Sequence, residues 1–156
     1  MARKNHCFLF MKIRAFEKKD IPSLLGLLQS NTPQYFAPEE AVGFENYLNN
    51  EIEIYYIIEV QNDIVGCGGI NFEDDYTIGV ISWDIIHPDF QGRYLGSKLL
   101  KHRLNELLLM ESIRRIVVRT SQFTDRFYQK YGFVLLEVVK DFWADGIDLY
   151  KMEYKQ

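Results

Sequence analysis

The chain has 156 residues, the length of one domain, and 47% of them are hydrophobic, which is enough for a buried core. Its net charge of −4 argues against a protein that binds nucleic acid non-specifically. Every apolar run falls short of the roughly 18 residues that a membrane helix needs, so we expect neither a nucleic-acid nor a membrane partner.

Residues 1–10 are predicted to be an N-terminal extension that is either disordered or not the native start of the protein. The apolar stretch that begins at Cys7 is too short for a signal peptide, and Lys12 ends it. Residues 11–156 are predicted to form a single domain, because no repeat, low-complexity segment or linker interrupts them.

This domain is predicted to begin with a strand at 12–16 and two helices. Asp20 is a suitable N-cap and Pro22 a suitable first-turn residue for a helix that continues to Leu28. A second helical region is predicted at 38–49.

Three strands are predicted next, at 53–61, 64–72 and 76–87, because β-branched and aromatic residues dominate these segments. Short turns, the first at Asn62-Asp63, separate them, and Pro88 ends the third strand. Consecutive strands joined by such turns pair as antiparallel neighbours.

The clearest helix is predicted at 95–112, because its leucines recur at helical spacing and form one apolar face. A basic patch is expected on its solvent-facing side. It consists of Lys98, Lys101, His102 and Arg103.

The remaining elements are predicted as a strand at 116–119, a helix at 124–131 and two strands at 133–140 and 148–154. The complete order is β-α-α-β-β-β-α-β-α-β-β. It predicts an α/β fold (α+β by some schemes) with a single mixed, mostly antiparallel central sheet of about six to seven strands, flanked by about four helices. The long helix is expected to cross between two parallel strands.

Neither Cys7 nor Cys67 has the spacing of a metal ligand, and two cysteines make no disulfide framework. We expect free thiols, a cytoplasmic location and no metal. Cys67 is expected to be a small core residue rather than a nucleophile.

The segment from Gln91 to Ser97 leaves a strand and enters the long helix. Backbone N–H groups at the positive end of a helix form an anion site, for which a pyrophosphate is a suitable occupant. Gly92 and Gly96 allow a phosphate to come close, and Arg93 adds a cation. The glycines also fit an ordinary strand-to-helix turn. A P-loop and a dinucleotide-binding motif are excluded by the residues and their spacing.

The same segment resembles the coenzyme A signature of the GNAT superfamily (GCN5-related N-acetyltransferases), Q/R-x-x-G-x-G/A after a strand that ends in hydrophobic-x-Pro. Gln91 and Gly96 match its first and last positions, and Ile86-His87-Pro88 matches the strand end. A second segment, Phe127-Tyr128-Gln129-Lys130-Tyr131-Gly132-Phe133, resembles the family's Phe-Tyr-x-x-x-Gly-Phe. The element order is also the family's, so the resemblance covers nearly the whole chain from Met11.

The sequence departs from the family pattern at Tyr94, where glycine is usual, and at Ser121, where asparagine is usual. A tyrosine does not easily adopt a positive φ. The loop is therefore expected either to keep a negative φ at Tyr94 or to follow a different local path.

The resemblance implies an acetyl-CoA-dependent N-acetyltransferase domain over 11–156 that moves an acetyl group directly to a primary amine of a small molecule or peptide. Tyr128 matches the tyrosine that faces the coenzyme sulfur, which implies a general acid, although its ring also suits a place in the core. The implied coenzyme-binding residues are Ile86, through its backbone, and Gln91, Gly92, Arg93, Tyr94, Leu95, Gly96 and Ser97. The alternative is a catalytically weak, CoA-binding regulatory or interaction module of the same fold.

The acceptor side is predicted less sharply. An amine with a reference pKa near 10.4 must lose a proton, which costs roughly 4–5 kcal/mol at pH 7, and Asp84 and Glu73 are the candidate bases. Tyr35 and Phe36 are candidate substrate-binding residues in the irregular stretch 32–47. The rings and glutamates of this stretch suit a site for a cationic amine, but they also fit an amphipathic helix with a solvated acidic face. A homodimer through the last strands, near Phe142-Trp143, is compatible with the sequence.

Overall fold

Seven strands and four helices follow one another in the predicted order. The structure is a computed structural model that describes residues 10–155, so the predicted N-terminal extension lies outside the described residues apart from Phe10. The strands are β1 (Met11–Ala15), β2 (Ile54–Val60), β3 (Asp63–Glu73), β4 (Ile78–Ile86), β5 (Arg115–Thr120), β6 (Phe133–Ala144) and β7 (Ile147–Tyr154). The helices are α1 (Ile21–Ser30), α2 (Glu40–Asn50), α3 (Leu95–Leu108) and α4 (Asp125–Lys130).

The strands form one sheet in the order β1-β2-β3-β4-β5-β7-β6. Its neighbouring strands are antiparallel except β4 and β5, which are parallel and are joined by α3. The predicted mixed, mostly antiparallel sheet is therefore confirmed. The β2–β3 turn lies one residue earlier than predicted, at Gln61 and Asn62, where both φ angles are positive, as a tight hairpin turn requires.

The parallel pair separates towards its carboxyl end. Residues Ile78–Ile81 of β4 pair with Arg115–Val118 of β5, and the register between the two strands stops there. On its other side β4 contains a bulge, since Trp83 and Asp84 lie opposite Gly68, and Trp83 has φ +49°. A bulge bends its strand, so β4 turns away from β5 and a wedge opens between them.

The sheet is covered on both faces. Leucines of α1 and aromatic residues of α2 pack with Tyr55, Ile57 and Ile85 on one face. On the other face the leucine stripe of α3 packs against the central strands, and α4 adds Tyr128. No helix within residues 10–155 is both long and apolar enough to cross a membrane.

Helix α3 differs from its prediction in three respects. It ends at Leu108 rather than at Ser112, and Leu108 itself is exposed. Arg103, which was expected in the solvent-facing basic patch, is 0% exposed. A buried guanidinium needs a buried partner, and this partner lies at the end of the wedge.

Candidate active site

A cleft of about 570 Å³ occupies the wedge between β4 and β5. It is lined by the bulged part of β4, the N-terminus of α3, one side of α4, the connection between α1 and α2, and the β6–β7 hairpin. Its volume is in the range of small-molecule sites. Of the eight predicted coenzyme-binding residues, all except Arg93 line it.

One end of the cleft, called the coenzyme end below, is formed by residues 91–97 and by Ile86 and Phe127. The backbone N–H of Lys98 donates to the carbonyl of Tyr94, which makes it the first hydrogen bond within α3. The N–H groups of Leu95, Gly96 and Ser97 precede that bond, so they have no acceptor within the helix and lie at its positive end. This is the predicted anion-binding geometry.

Tyr94 adopts the left-handed conformation, with φ 63° and ψ 9°, so the expectation of a negative φ is wrong. Its side chain points into solvent and is 67% exposed. The loop thus keeps the path that a glycine would allow. A left-handed conformation costs a residue with a Cβ roughly 1–2 kcal/mol.

The side chain of Gln91 is held by the protein itself. Its Nε2 donates to Oδ1 of Asn31 at 3.1 Å and to the carbonyl oxygen of Ile86 at 3.2 Å. Asn31 is buried, and its Nδ2 donates to the carbonyls of Leu27 and Ile86. Gln91 therefore fastens the loop to the end of α1 and to β4. The sequence analysis missed Asn31, whose one signal was a polar residue directly after an apolar helix.

Asp84, Arg103 and Tyr128 form a network at the floor of the cleft, in which Arg103 and Tyr128 are buried and Asp84 is partly exposed. Arg103 binds both oxygens of the Asp84 carboxylate and also donates from Nη1 to the carbonyl of Gly69. The hydroxyl of Tyr128 donates to Oδ2 of Asp84 at 2.7 Å. Gly68 leaves space for this ion pair, since a Cβ there would lie 2.5 Å from Oδ1 of Asp84.

These contacts affect the two predicted catalytic residues. Burial, reinforced by the negative charge of Asp84, raises the pKa of Tyr128 well above its usual value near 10. Tyr128 therefore stays protonated at neutral pH, with its proton directed at Asp84. Asp84, a candidate base, lines the cleft, but Arg103 and Tyr128 already bind its two oxygens.

The other candidate base, Glu73, is not among the residues that line the cleft. Its carboxylate accepts two hydrogen bonds from Arg119, at 2.9 and 3.1 Å. These hydrogen bonds lower the pKa of Glu73 below its usual value, which makes it a weaker base. The geometry therefore does not favour Glu73 as a general base, because its carboxylate at the end of β3 is bound to Arg119 and lies outside the cleft lining.

A second part of the cleft lining, called the acceptor end below, is formed by side chains. The predicted substrate residues Tyr35 and Phe36 both lie here. The acceptor end consists of Tyr35, Phe36, Glu40, Trp83, Phe123 and Trp143. The other rings of the predicted stretch, Phe44 and Tyr47, are buried in the core instead. Glu40 lines the cleft, and its burial raises its carboxyl pKa above the usual value.

Cys67 is buried, and desolvation raises the pKa of its thiol to about 12, so it is protonated at neutral pH. This agrees with a core residue rather than a nucleophile. Among residues 10–155, no group of three or more His, Cys, Asp or Glu side chains is arranged to hold a metal ion.

Comparison with known proteins agrees with this geometry. Residues 51–135, more than half of the chain, match the family model described as acetyltransferase (GNAT) domain. A GNAT-family protein from Desulfovibrio desulfuricans superposes with a TM-score of 0.79 at 20% identity, covering 93% of this chain and 98% of that one. The N-acetylglutamate synthase of Neisseria gonorrhoeae, solved with coenzyme A and N-acetyl-glutamate, superposes with a TM-score of 0.71 at 19% identity, covering 93% of this chain and 35% of that one.

An amino-acid acetyltransferase from Pasteurella multocida is 27% identical over 126 residues, which are 81% of this chain but 28% of that protein. The chain thus spans little more than a quarter of the length of this curated relative. The sheet, the wedge and the helix terminus define the acyl-CoA N-acyltransferase fold. The chain belongs to the GNAT family of acetyltransferases. The predicted family and fold are confirmed, and membership of this family supports the predicted enzyme class, an N-acetyltransferase.

Proposed function

We propose that the chain is an acetyl-CoA-dependent N-acetyltransferase that moves the acetyl group directly to a primary amine of a small molecule or peptide. The observation that carries this proposal is the cleft between β4 and β5, which the N-terminus of α3 closes at one end. The presence of coenzyme A in the structurally similar N-acetylglutamate synthase supports the identity of the cosubstrate.

In this proposal the N–H groups of Leu95, Gly96 and Ser97 hold the pyrophosphate, with Gly92 and Tyr94 giving the loop its path. Ile86 lies where β4 has no β5 partner, so its backbone is in reach of an extended pantetheine arm. The guanidinium of Arg93 lies 5.0 Å from the ring centroid of Phe90, so we assign it a supporting positive charge rather than a direct contact.

Bound acetyl-CoA would supply the thioester. The amine attacks in its neutral form, so that the carbon–nitrogen bond forms as the carbon–sulfur bond breaks, the nitrogen releases its proton to solvent water, and coenzyme A leaves as the thiolate. We propose that Tyr128 supports the departing thiolate. A phenol with a pKa well above 10 gives up its proton unfavourably to a thiolate with a reference pKa near 8.5. Tyr128 therefore acts chiefly by turning its hydroxyl from Asp84 towards the sulfur and donating a hydrogen bond.

In this proposal Asp84 is not the general base but the carboxylate that positions the hydroxyl of Tyr128. Arg103 donates to both oxygens of Asp84 and the hydroxyl of Tyr128 donates to Oδ2, so the carboxylate is held in place against Tyr128. Glu73, bound to Arg119 and outside the cleft lining, has no part in the proposed chemistry.

The alternative, a CoA-binding module without catalysis, is favoured by one observation. The proton of Tyr128 is directed at Asp84 rather than into the cleft. A module of this kind would bind acetyl-CoA and turn over no amine.

Calorimetric titration with acetyl-CoA, combined with thiol release across a panel of amines, tests the proposal. We expect binding and turnover, and we expect Tyr128→Phe to lower kcat about 100-fold while the Kd for acetyl-CoA stays within about threefold. Absence of binding up to millimolar acetyl-CoA would overturn the proposal. Binding without turnover would identify the regulatory module.

We also propose a cytoplasmic location, on the basis of the cysteine usage, and a homodimer. Strand β6 is at the edge of the sheet and exposes several apolar side chains, which supports pairing with a second copy. These side chains are Val134, Leu135, Leu136, Val138 and Phe142.

A further inference from the structure

The acceptor end of the cleft is rich in rings and poor in available charge, and this combination selects among amines. The inference rests on the proposed function, because a transferred acetyl group requires the amine to enter at this end. Tyr35 and Phe123 meet edge to face with ring centroids 6.4 Å apart, and they join the α1–α2 connection to the segment after β5. Phe36 and Trp83 are stacked with centroids 6.3 Å apart.

Some of this ring surface is open to a ligand. Phe123 is 45% exposed although it lines the cleft, and Tyr35 and Phe36 are only half-buried. Covering such surface gains about 25 cal/mol for each Å² of apolar area removed from water. An apolar or aromatic substituent would therefore be favoured over a small or strongly polar one.

A single carboxylate is available for an ammonium group. Among the described residues that line the cleft, Glu40 and Asp84 are the acidic ones, and Arg103 and Tyr128 already bind Asp84. Glu40 accepts one hydrogen bond, from the backbone N–H of Ala37 at 2.7 Å. A carboxylate accepts about four hydrogen bonds, so Glu40 retains capacity for a ligand.

The cations that line the cleft already have partners in the protein, which disfavours a carboxylate on the acceptor. Two of the cleft-lining residues within 10–155 are Lys or Arg, namely Arg119 and Lys130. Arg119 donates two hydrogen bonds, from Nη1 and Nη2, to the carboxylate of Glu73. Lys130 is on α4, and its Nζ lies 5.7 Å from the ring centroid of Tyr131.

We infer that the acceptor is a primary amine on an apolar or aromatic substituent, whose ammonium group Glu40 receives and whose substituent lies among Tyr35, Phe36 and Phe123. A free carboxylate on an amino acid would have to compete with Glu73 for Arg119 or with the ring of Tyr131 for Lys130. Polyamines find one carboxylate where they would need several.

Binding can be measured without any turnover. Both tryptophans of the chain, Trp83 and Trp143, line the cleft, so the intrinsic fluorescence of the whole protein reports on it. We expect 2-phenylethylamine to change this fluorescence with an affinity at least about tenfold above that of ethylamine, which has the same amine without the ring. Spermidine and L-glutamate should bind more weakly than 2-phenylethylamine.

Turnover should follow the same order when acetyl-CoA is present. Glu40→Gln keeps an oxygen for the N–H of Ala37 but removes the charge, so it should raise the KM for 2-phenylethylamine about tenfold and leave the Kd for acetyl-CoA unchanged. Glu39→Gln is the matched control, because Glu39 is adjacent, exposed and outside the cleft lining. It should change neither constant.

The outcomes separate this inference from the proposed function. Preferred turnover of L-glutamate or spermidine would overturn the inference and leave the transferase standing. Binding of 2-phenylethylamine that depends on Glu40, without turnover, would support the inference and count against the transferase. An unchanged KM in Glu40→Gln, or an equal rise in Glu39→Gln, would remove Glu40 from the acceptor site.

Discussion

The two ends of the cleft are built from different parts of the chain. The coenzyme end is formed mainly by backbone N–H groups at the start of α3, whereas the acceptor end is formed by the side chains of several separate segments. Backbone groups are the same in every residue, so a loop that presents them needs only certain spacings and small residues. Side chains differ at each position, so the acceptor end has no general pattern.

The network of Asp84, Arg103 and Tyr128 lies between the two ends and serves both. It connects α3, which presents the N–H groups that we propose bind the coenzyme, to the bulge of β4, which contains Trp83. Changes in the network, at Gly96 and at Tyr94 should therefore have separable effects.

The largest effect is expected from Arg103→Met, which leaves the charge of Asp84 without its partner. We expect the free energy of unfolding to fall by about 3–5 kcal/mol, measured by denaturant titration. Lys101→Met is the control, since Lys101 is exposed on the same helix and its contact is a cation–π distance of 5.5 Å to Tyr131.

The double variant Arg103→Met with Asp84→Asn identifies the cause. It removes the unpaired charge, so it should be more stable than Arg103→Met alone. A single variant that loses less than about 1 kcal/mol would mean that the ion pair is not important for the floor of the cleft.

A smaller effect, confined to the coenzyme end, is expected from Gly96→Leu. A Cβ at Gly96 would lie 3.5 Å from Phe127 and 3.7 Å from Ile86, which is ordinary contact, so atoms beyond it must enter the cleft. We expect the Kd for acetyl-CoA to rise about 100-fold, or about 2.7 kcal/mol, by calorimetry.

Gly96→Ala is the matched control, because it adds only the Cβ that the structure accommodates. Its Kd for acetyl-CoA should stay within about threefold of the wild-type value, as alanine is also accepted in the family pattern. If Gly96→Leu binds acetyl-CoA normally, the pyrophosphate is not held where we propose.

The smallest effect is expected from Tyr94→Gly, which removes the backbone strain of a residue with a Cβ in the left-handed conformation. The relief of roughly 1–2 kcal/mol is partly offset by the greater freedom of glycine in the unfolded chain, so we expect a net gain of about 0.5–1 kcal/mol. Thermal or denaturant unfolding measures it. Tyr94→Ala keeps the Cβ and should show no gain, and an equal gain there would contradict the backbone explanation.

Much of the fold could be predicted because its signals are local. The leucine spacing of α3, the β-branched segments and the turn residues all act within a few positions of one another. The end of α3 and the β2–β3 turn were displaced by a few residues, since neighbouring contacts rather than propensity decide where an element stops.

The candidate site could be predicted only in part. Gln91 and Gly96 indicated the coenzyme end because a loop before a helix has one main way to bind an anion. Arg103 could not be placed, because a helix position near the edge of the apolar stripe becomes buried only if a carboxylate from another strand meets it. Asn31 and Glu40 acquire their meaning from residues that are distant in sequence.

The sequence by itself predicted a mixed sheet with a loop before its longest helix, because periodicity and loop spacing are short-range properties, and the resemblance of residues 86–97 and 127–133 to the GNAT signatures predicted the family. Only the tertiary structure decided that Asp84 is bound by Arg103 and Tyr128, that Tyr94 takes a left-handed conformation, and that Glu40 lines the cleft. These outcomes depend on which strands separate, where a bulge falls and which charges meet, and such contacts join residues far apart along the chain.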